Sequence, residues 1–136
     1  MGQHTIVDSS GNRLAVQIKE DDWSDGLKFY SQDDDYVQVG TWVYGAGKSL
    51  KAHTHNIVDR TSNRTQEVIF VKKGRLLSEI YDEDSNLVES IELSTGDCLV
   101  LLAGGHGYKV LDDDTQVLEI KNGPYAGAEI DRTRLS

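Results

Sequence analysis

The residues whose types could do chemistry gather in Gly47-Lys-Ser-Leu-Lys-Ala-His53-Thr-His55 and, after a gap, in Thr65-Gln-Glu67-Val-Ile-Phe-Val-Lys-Lys-Gly74. On a strand, successive side chains point to opposite faces, so His53 and His55 share one face with Cα atoms about 6.5 Å apart. Two imidazoles so placed can converge on one ion. The same alternation groups Glu67 with Ile69 and Val71 on a face that reads as buried. A carboxylate there is costly unless a positive charge pairs with it, and a metal ion supplies that charge. Of the four histidines, His53, His55 and His106 can all be placed at this site.

These residues resemble the first motif of the cupins: glycine, five residues, His-x-His, a gap, glutamate, six residues, glycine. Gly47, His53, His55, Glu67 and Gly74 fit it, with eleven residues between His55 and Glu67 where the family has a short gap. The second motif is matched in part by Gly96-Asp-Cys-Leu-Val-Leu-Leu102-Ala-Gly104-Gly-His106-Gly. Leu102 stands in place of the proline, His106 arrives one residue early, and Val110 replaces the usual asparagine. Residues 10–127 are similar to small bacterial single-domain cupins with an Arg-Thr-Gln-Glu strand, a Gly-Gly-His-Gly turn and a Gly-Pro-Tyr near the C-terminus. The resemblance implies an all-β fold, the cupin β-barrel (double-stranded β-helix, or jelly roll). It also implies metal ligation by His53, His55, Glu67 and His106.

Three imidazoles and a carboxylate leave positions open on an ion that takes five or six ligands, as a catalytic metal requires. The set suits one divalent transition metal, Zn, Fe, Ni or Mn, without choosing among them. Strand alternation places Tyr108 on the face of His106 and Lys51 on the face of His53 and His55; both become candidate catalytic residues. Arg60 and Arg64 lie in residues 56–64, between two ligand-bearing segments, where an arginine fork can bind a substrate carboxylate or phosphate. Salt bridges to nearby acids are the competing role for both arginines. Glu119, between Leu118 and Ile120, reads as solvent-exposed.

Around these residues the chain reads as short strands separated by turns. Alternating runs flank Ser9-Ser-Gly-Asn12 as an N-terminal hairpin over residues 5–19, and residues 75–81 and 87–93 form another. Residues 36–44, 99–102, 107–111 and 115–121 add strands, and no amphipathic helix is evident; the pattern is that of an all-β sandwich or barrel. Trp23, Leu27, Phe29 and Tyr30 are expected to cap one end of the core. With 136 residues the expectation is one domain, its barrel core over 36–122 and a tail over 123–136.

A net charge of −9 repels phosphate backbones and anionic membranes, so a small-molecule partner is expected rather than nucleic acid or a membrane. The exposed edge of the N-terminal hairpin suits a homodimer. One cysteine, Cys98, allows no internal disulfide, and with no apolar leader or membrane-spanning stretch the expected location is cytoplasmic. The functional expectation is a metal-dependent isomerase, epimerase or lyase on a small oxygen-rich, sugar- or carboxylate-like metabolite. An Fe(II)-dependent dioxygenase and a non-catalytic metal- or ligand-binding protein are the alternatives.

Overall fold

The computed structural model describes residues 3–135. Ten strands run in order: β1 (His4–Val7), β2 (Arg13–Ile18), β3 (Gly26–Phe29), β4 (Gly40–Val43), β5 (Glu67–Lys73), β6 (Arg75–Tyr81), β7 (Leu87–Ser94), β8 (Cys98–Leu101), β9 (Gly105–Val110) and β10 (Gln116–Lys121). One short helix, α1 (Ala128–Asp131), follows. Antiparallel pairing gives a five-stranded sheet ordered β1-β2-β8-β5-β10, a three-stranded sheet ordered β7-β6-β9, and a separate β3–β4 hairpin. The chain is all-β, and none of the sheets closes into a barrel.

The strand alternation read from the sequence decides what lies between the sheets. Ile69 and Val71 of β5, Leu99 and Leu101 of β8, Leu76 and Ile80 of β6, and Ile91 and Leu93 of β7 share one buried apolar cluster. Burying each such side chain is worth about 1.5–3 kcal/mol. A second cluster forms on the outer face of the larger sheet, where Tyr30 and Val37 cover Val16, Ile18, Val68 and Val100. Both hairpins expected from the sequence form, β1–β2 and β6–β7, and β1 lies at a free sheet edge.

Three expectations are corrected. Residues 44–66, with His53 and His55, contain no strand and are exposed up to Arg64. Leu50 is the one large apolar side chain from Gly45 to His55, so the stretch has no apolar face whose burial would offset the entropy of ordering it. The strand expected over 36–44 shortens to β4. The side chain of Gln66 takes the backbone N–H groups of Tyr36 and Val37, and that of Gln38 donates to the carbonyls of Gln32 and Asp35, which holds the chain in turns there. Of the residues expected to cap the core, Tyr30 is buried, whereas Trp23, Leu27 and Phe29 are exposed. The β3–β4 hairpin pairs only with itself and leaves that aromatic face uncovered.

Candidate functional site

Glu67 and His106 come together from opposite sheets. Glu67 opens β5 and faces inward with Ile69 and Val71; His106 lies on β9, where cross-strand pairing with Ile80 turns it inward too. Two glycines make this possible. Gly104 adopts φ +73 within 2.1 Å (measured from an added Cβ) of the Tyr81 carbonyl, so no side chain fits at the turn that delivers His106. Gly74, at φ +96, lets the chain leave β5 directly into β6, and a side chain there would collide with Thr115. The imidazole Nε2 donates to Glu67 Oε2 at 2.8 Å.

Three more side chains join this pair. Register places Lys121 opposite Glu67 and Glu119 opposite Ile69, so β10 presents Lys121 and Glu119 on the inward face. Lys121 Nζ lies 4.0 Å from Glu67 Oε1 and 3.6 Å from Glu119 Oε2. Tyr108 stacks at an angle beside His106, ring centres 5.3 Å apart. Burial pushes the Glu67 carboxyl up, but hydrogen bonds from His106 and with Glu119, and the charges of His106 and Lys121, outweigh it and hold Glu67 below its usual value. Tyr108 is driven far above the ordinary phenol range, first by burial and then by Glu67 and Glu119, so at neutral pH it is a hydroxyl donor.

The remaining expected residues lie apart. His53 and His55 are held together, ring centres 5.0 Å apart, and the Nδ1–H of His53 donates to the Lys51 carbonyl at 3.1 Å. Lys51 offers this pair only its backbone carbonyl, away from Glu67 and His106, and the residue is exposed. Among the described residues, no three His, Cys, Asp or Glu side chains converge closely enough to hold a metal ion. Arg64 is paired with Glu83 at 2.9 Å, the salt-bridge alternative, and lines a polar groove of about 470 Å³ with Asp8, Asp34 and Asp35. Arg60 lies in the exposed coil.

Each half of the expected ligand set nevertheless has metal-compatible geometry. Two ligands at adjacent positions of a six-coordinate ion stand about 3 Å apart, and two imidazoles on one ion have ring centres roughly 4.5–5 Å apart. The His53–His55 pair fits the second spacing; the Glu67–His106 contact fits the first only once His106 Nε2 gives up the proton it shares with Glu67. With Nδ1 of His53 engaged as a donor, Nε2 carries the lone pair a metal would use.

Sequence reasoning missed Lys121. Glu119 is exposed as expected, 49% at its side chain, but its register against β5, which the sequence does not show, puts it on the face of Glu67. The C-terminal segment folds back over this end of the sandwich. Asp131 accepts a hydrogen bond from the Thr65 hydroxyl, and Leu135 lies against Gly105. Lys121 also lines a cavity of about 310 Å³ with Thr65, Asn122, Pro124 and Tyr125. Among the described residues, no helix is long and apolar enough to cross a membrane. No family model matches the sequence, and no curated protein or solved structure is significantly similar to it.

Proposed function

We propose that the protein is a cupin-type metal-binding protein that acts on a small oxygen-rich metabolite as an isomerase, epimerase or lyase. In this reading residues 44–66 close over the free edges of β9 and β10, and His53 and His55 meet Glu67 and His106 around one divalent transition metal. The observation that carries it is the Glu67–His106 contact of 2.8 Å at the open side of the sandwich, with a second imidazole pair, His53 and His55, in the exposed coil that precedes β5. Free edges on β9 and β10 give the closing segment backbone partners, which an unpaired strand edge otherwise lacks.

A bound ion would polarise a substrate carbonyl or hydroxyl oxygen, and the positions left by four ligands would admit that oxygen. The chain's own residues supply the rest. Tyr108, whose ring lies 5.3 Å from that of His106, offers a hydroxyl that can donate a hydrogen bond or a proton. Glu119 and Lys121 offer an acceptor and a donor beside it.

The test is metal analysis of protein purified without a chelating tag, with strand content followed by circular dichroism on adding metal to chelator-treated protein. About one equivalent of metal, and a gain in strand signal as residues 44–66 order, are expected. The double change His53→Ala, His55→Ala should remove both. Full metal content in that double variant would refute the ligand set.

A further inference from the structure

After β10 the chain turns back across the open side and touches the sandwich beside both residues of the Glu67–His106 contact. Asp131 accepts a hydrogen bond from the hydroxyl of Thr65, two residues before Glu67. Leu135 rests on Gly105, one residue before His106. Between them and β10, Pro124 and Tyr125 enclose a cavity of about 310 Å³ with Thr65 and with Lys121, whose Nζ stands 4.0 Å from Glu67 Oε1. Resting on the reading of Glu67 and His106 as a ligand-binding centre, we propose that residues 124–135 are a strap seated over that centre, which lifts before a ligand reaches it.

The two glycines ahead of His106 separate what the sheet needs from what the strap needs. Gly104 holds φ +73, and a Cβ added there would stand 2.1 Å from the Tyr81 carbonyl oxygen, so the turn itself demands a glycine. Gly105 is not among the glycines at positive φ, so its backbone makes no such demand. A Cβ added at Gly105 would meet Leu135 Cδ1 at 2.8 Å, and its next neighbour, Tyr81 Cβ, lies at an ordinary 3.6 Å. What a side chain at position 105 would displace is the tip of the strap, not the sheet.

The strap is firm at its base and light at its tip, as a hinged cover has to be. At the base, the Asn122 N–H donates to the Gln66 carbonyl, its side-chain oxygen accepts from the Gln66 N–H, and its side-chain amide donates to the Arg64 carbonyl. Beyond Asn122, among the described residues, one hydrogen bond joins strap to sandwich, that from Thr65 to Asp131. Helix α1 buries no residue, and its hydrogen bonds, from Ile130 and Asp131 to Gly127 and from Arg132 to Ala128, stay within the strap. Leu135, the apolar end of the strap, keeps 46% of its surface exposed. A segment with so few buried contacts opens locally, without the rest of the fold.

Diethylpyrocarbonate modification of histidines in metal-free protein, mapped by mass spectrometry of peptides, reads this opening at His106. His4, on the opposite edge of the larger sheet from β10, is the internal reference. The double change Asp131→Ala, Leu135→Ala should speed modification of His106 about threefold or more relative to His4. Gly105→Ala, which unseats Leu135 alone, should act in the same direction. Amide exchange in β6 and β8 should stay as slow as in the wild type in both variants. In the wild type, the amides of Ile130, Asp131 and Arg132 should exchange at least a hundredfold faster than those of β8. Unchanged reactivity of His106 would overturn the proposal. So would loss of protection in β6 and β8, which would make the segment a structural brace, or equal protection of α1 and β8, which would tie its release to global unfolding. None of these readouts involves a metal; the metal reading fails separately, through the metal content of the His53→Ala, His55→Ala variant.

Discussion

The two sides of the sandwich are built from the same alternating pattern and end in opposite conditions. Where β2, β8, β6 and β7 meet, Leu14, Leu93, Leu99 and Ile80 are each 0% exposed. Where β9 and β10 lie, Val110, Leu118 and Ile120 remain 61%, 56% and 50% exposed. Alternation fixes which face a side chain takes; a neighbour must still cover that face. On the closed side two sheets supply the cover. On the open side only the C-terminal segment reaches over, through Asp131 and Leu135, and the large apolar residues of the exposed coil, Leu50, Ile57 and Val58, stay uncovered. Such a coil buries too little apolar surface to offset the cost of ordering it. Stability and chemistry are therefore separated in space.

The comparison breaks most readily in the core. Ile69→Ala should cost about 2–5 kcal/mol in urea unfolding, whereas Leu118→Ala, on the uncovered face of β10, should cost less than about 0.5 kcal/mol. Equal losses would mean that β10 is covered in solution. Next in size is the effect of metal. At a hundredfold excess over its dissociation constant, a native-state ligand stabilises by about 2.7 kcal/mol. That increment should appear in wild-type protein and vanish in His53→Ala, His55→Ala, while the two chelator-treated proteins melt alike because both residues sit in exposed coil. A large melting difference without metal would place the histidines in packed structure already.

What the sequence made legible follows the same division. Strands β5 to β8 announced themselves through alternation between turn residues, and the β6–β7 hairpin formed around Asp82 and Asn86, whose backbone and side chains bond to each other as a turn needs. Glu67 was found because an inward-facing carboxylate is conspicuous within a strand, and His106 because its glycine-flanked turn resembles the second cupin motif. The face that Glu119 takes was hidden because β10 offers apolar residues on both faces, and the choice between them depends on pairing with β5, about fifty residues earlier in sequence. Trp23, Leu27 and Phe29 misled because bulk and apolarity usually mean burial, but a two-stranded hairpin has no second layer of its own.

Two smaller effects sharpen the contrast. Cys98 is on the closed side, its thiol pushed up to about 11 from 9.0, by burial first and by the Asp97 charge second. Its thiolate fraction near pH 8 should be about a hundredfold below that of the unfolded chain, and alkylation should slow by at least that factor. Alkylation at the unfolded rate would show β8 opening freely between β2 and β5. Glu67, on the open side, titrates in the other direction. Its folded-state value lies below the usual 4.5, so the ionised group favours the native state above that pH. That contribution is lost as pH falls through the folded value. In chelator-treated protein, the stability gap between wild type and Glu67→Gln should shrink steadily below about pH 4.5. A pH-independent gap would mean that His106 and Lys121 do not act on Glu67 through charge.

The smallest expected effect bears on how the open side meets charged molecules. Arg64 and Glu83 form an ion pair at 2.9 Å with both side chains about half exposed, 45% and 58%. Pairs of this kind contribute about 0.2–1 kcal/mol and weaken with salt. A double-mutant cycle of Arg64→Ala and Glu83→Ala should return a coupling in that range at low ionic strength, falling towards zero near 1 M salt. The value matters because Arg64 was the sequence's candidate for binding an anionic substrate. A measurable coupling means that an incoming anion must displace Glu83 before it can use the guanidinium, in a groove already lined by Asp8, Asp34 and Asp35. Zero coupling at low salt would release the arginine from that competition.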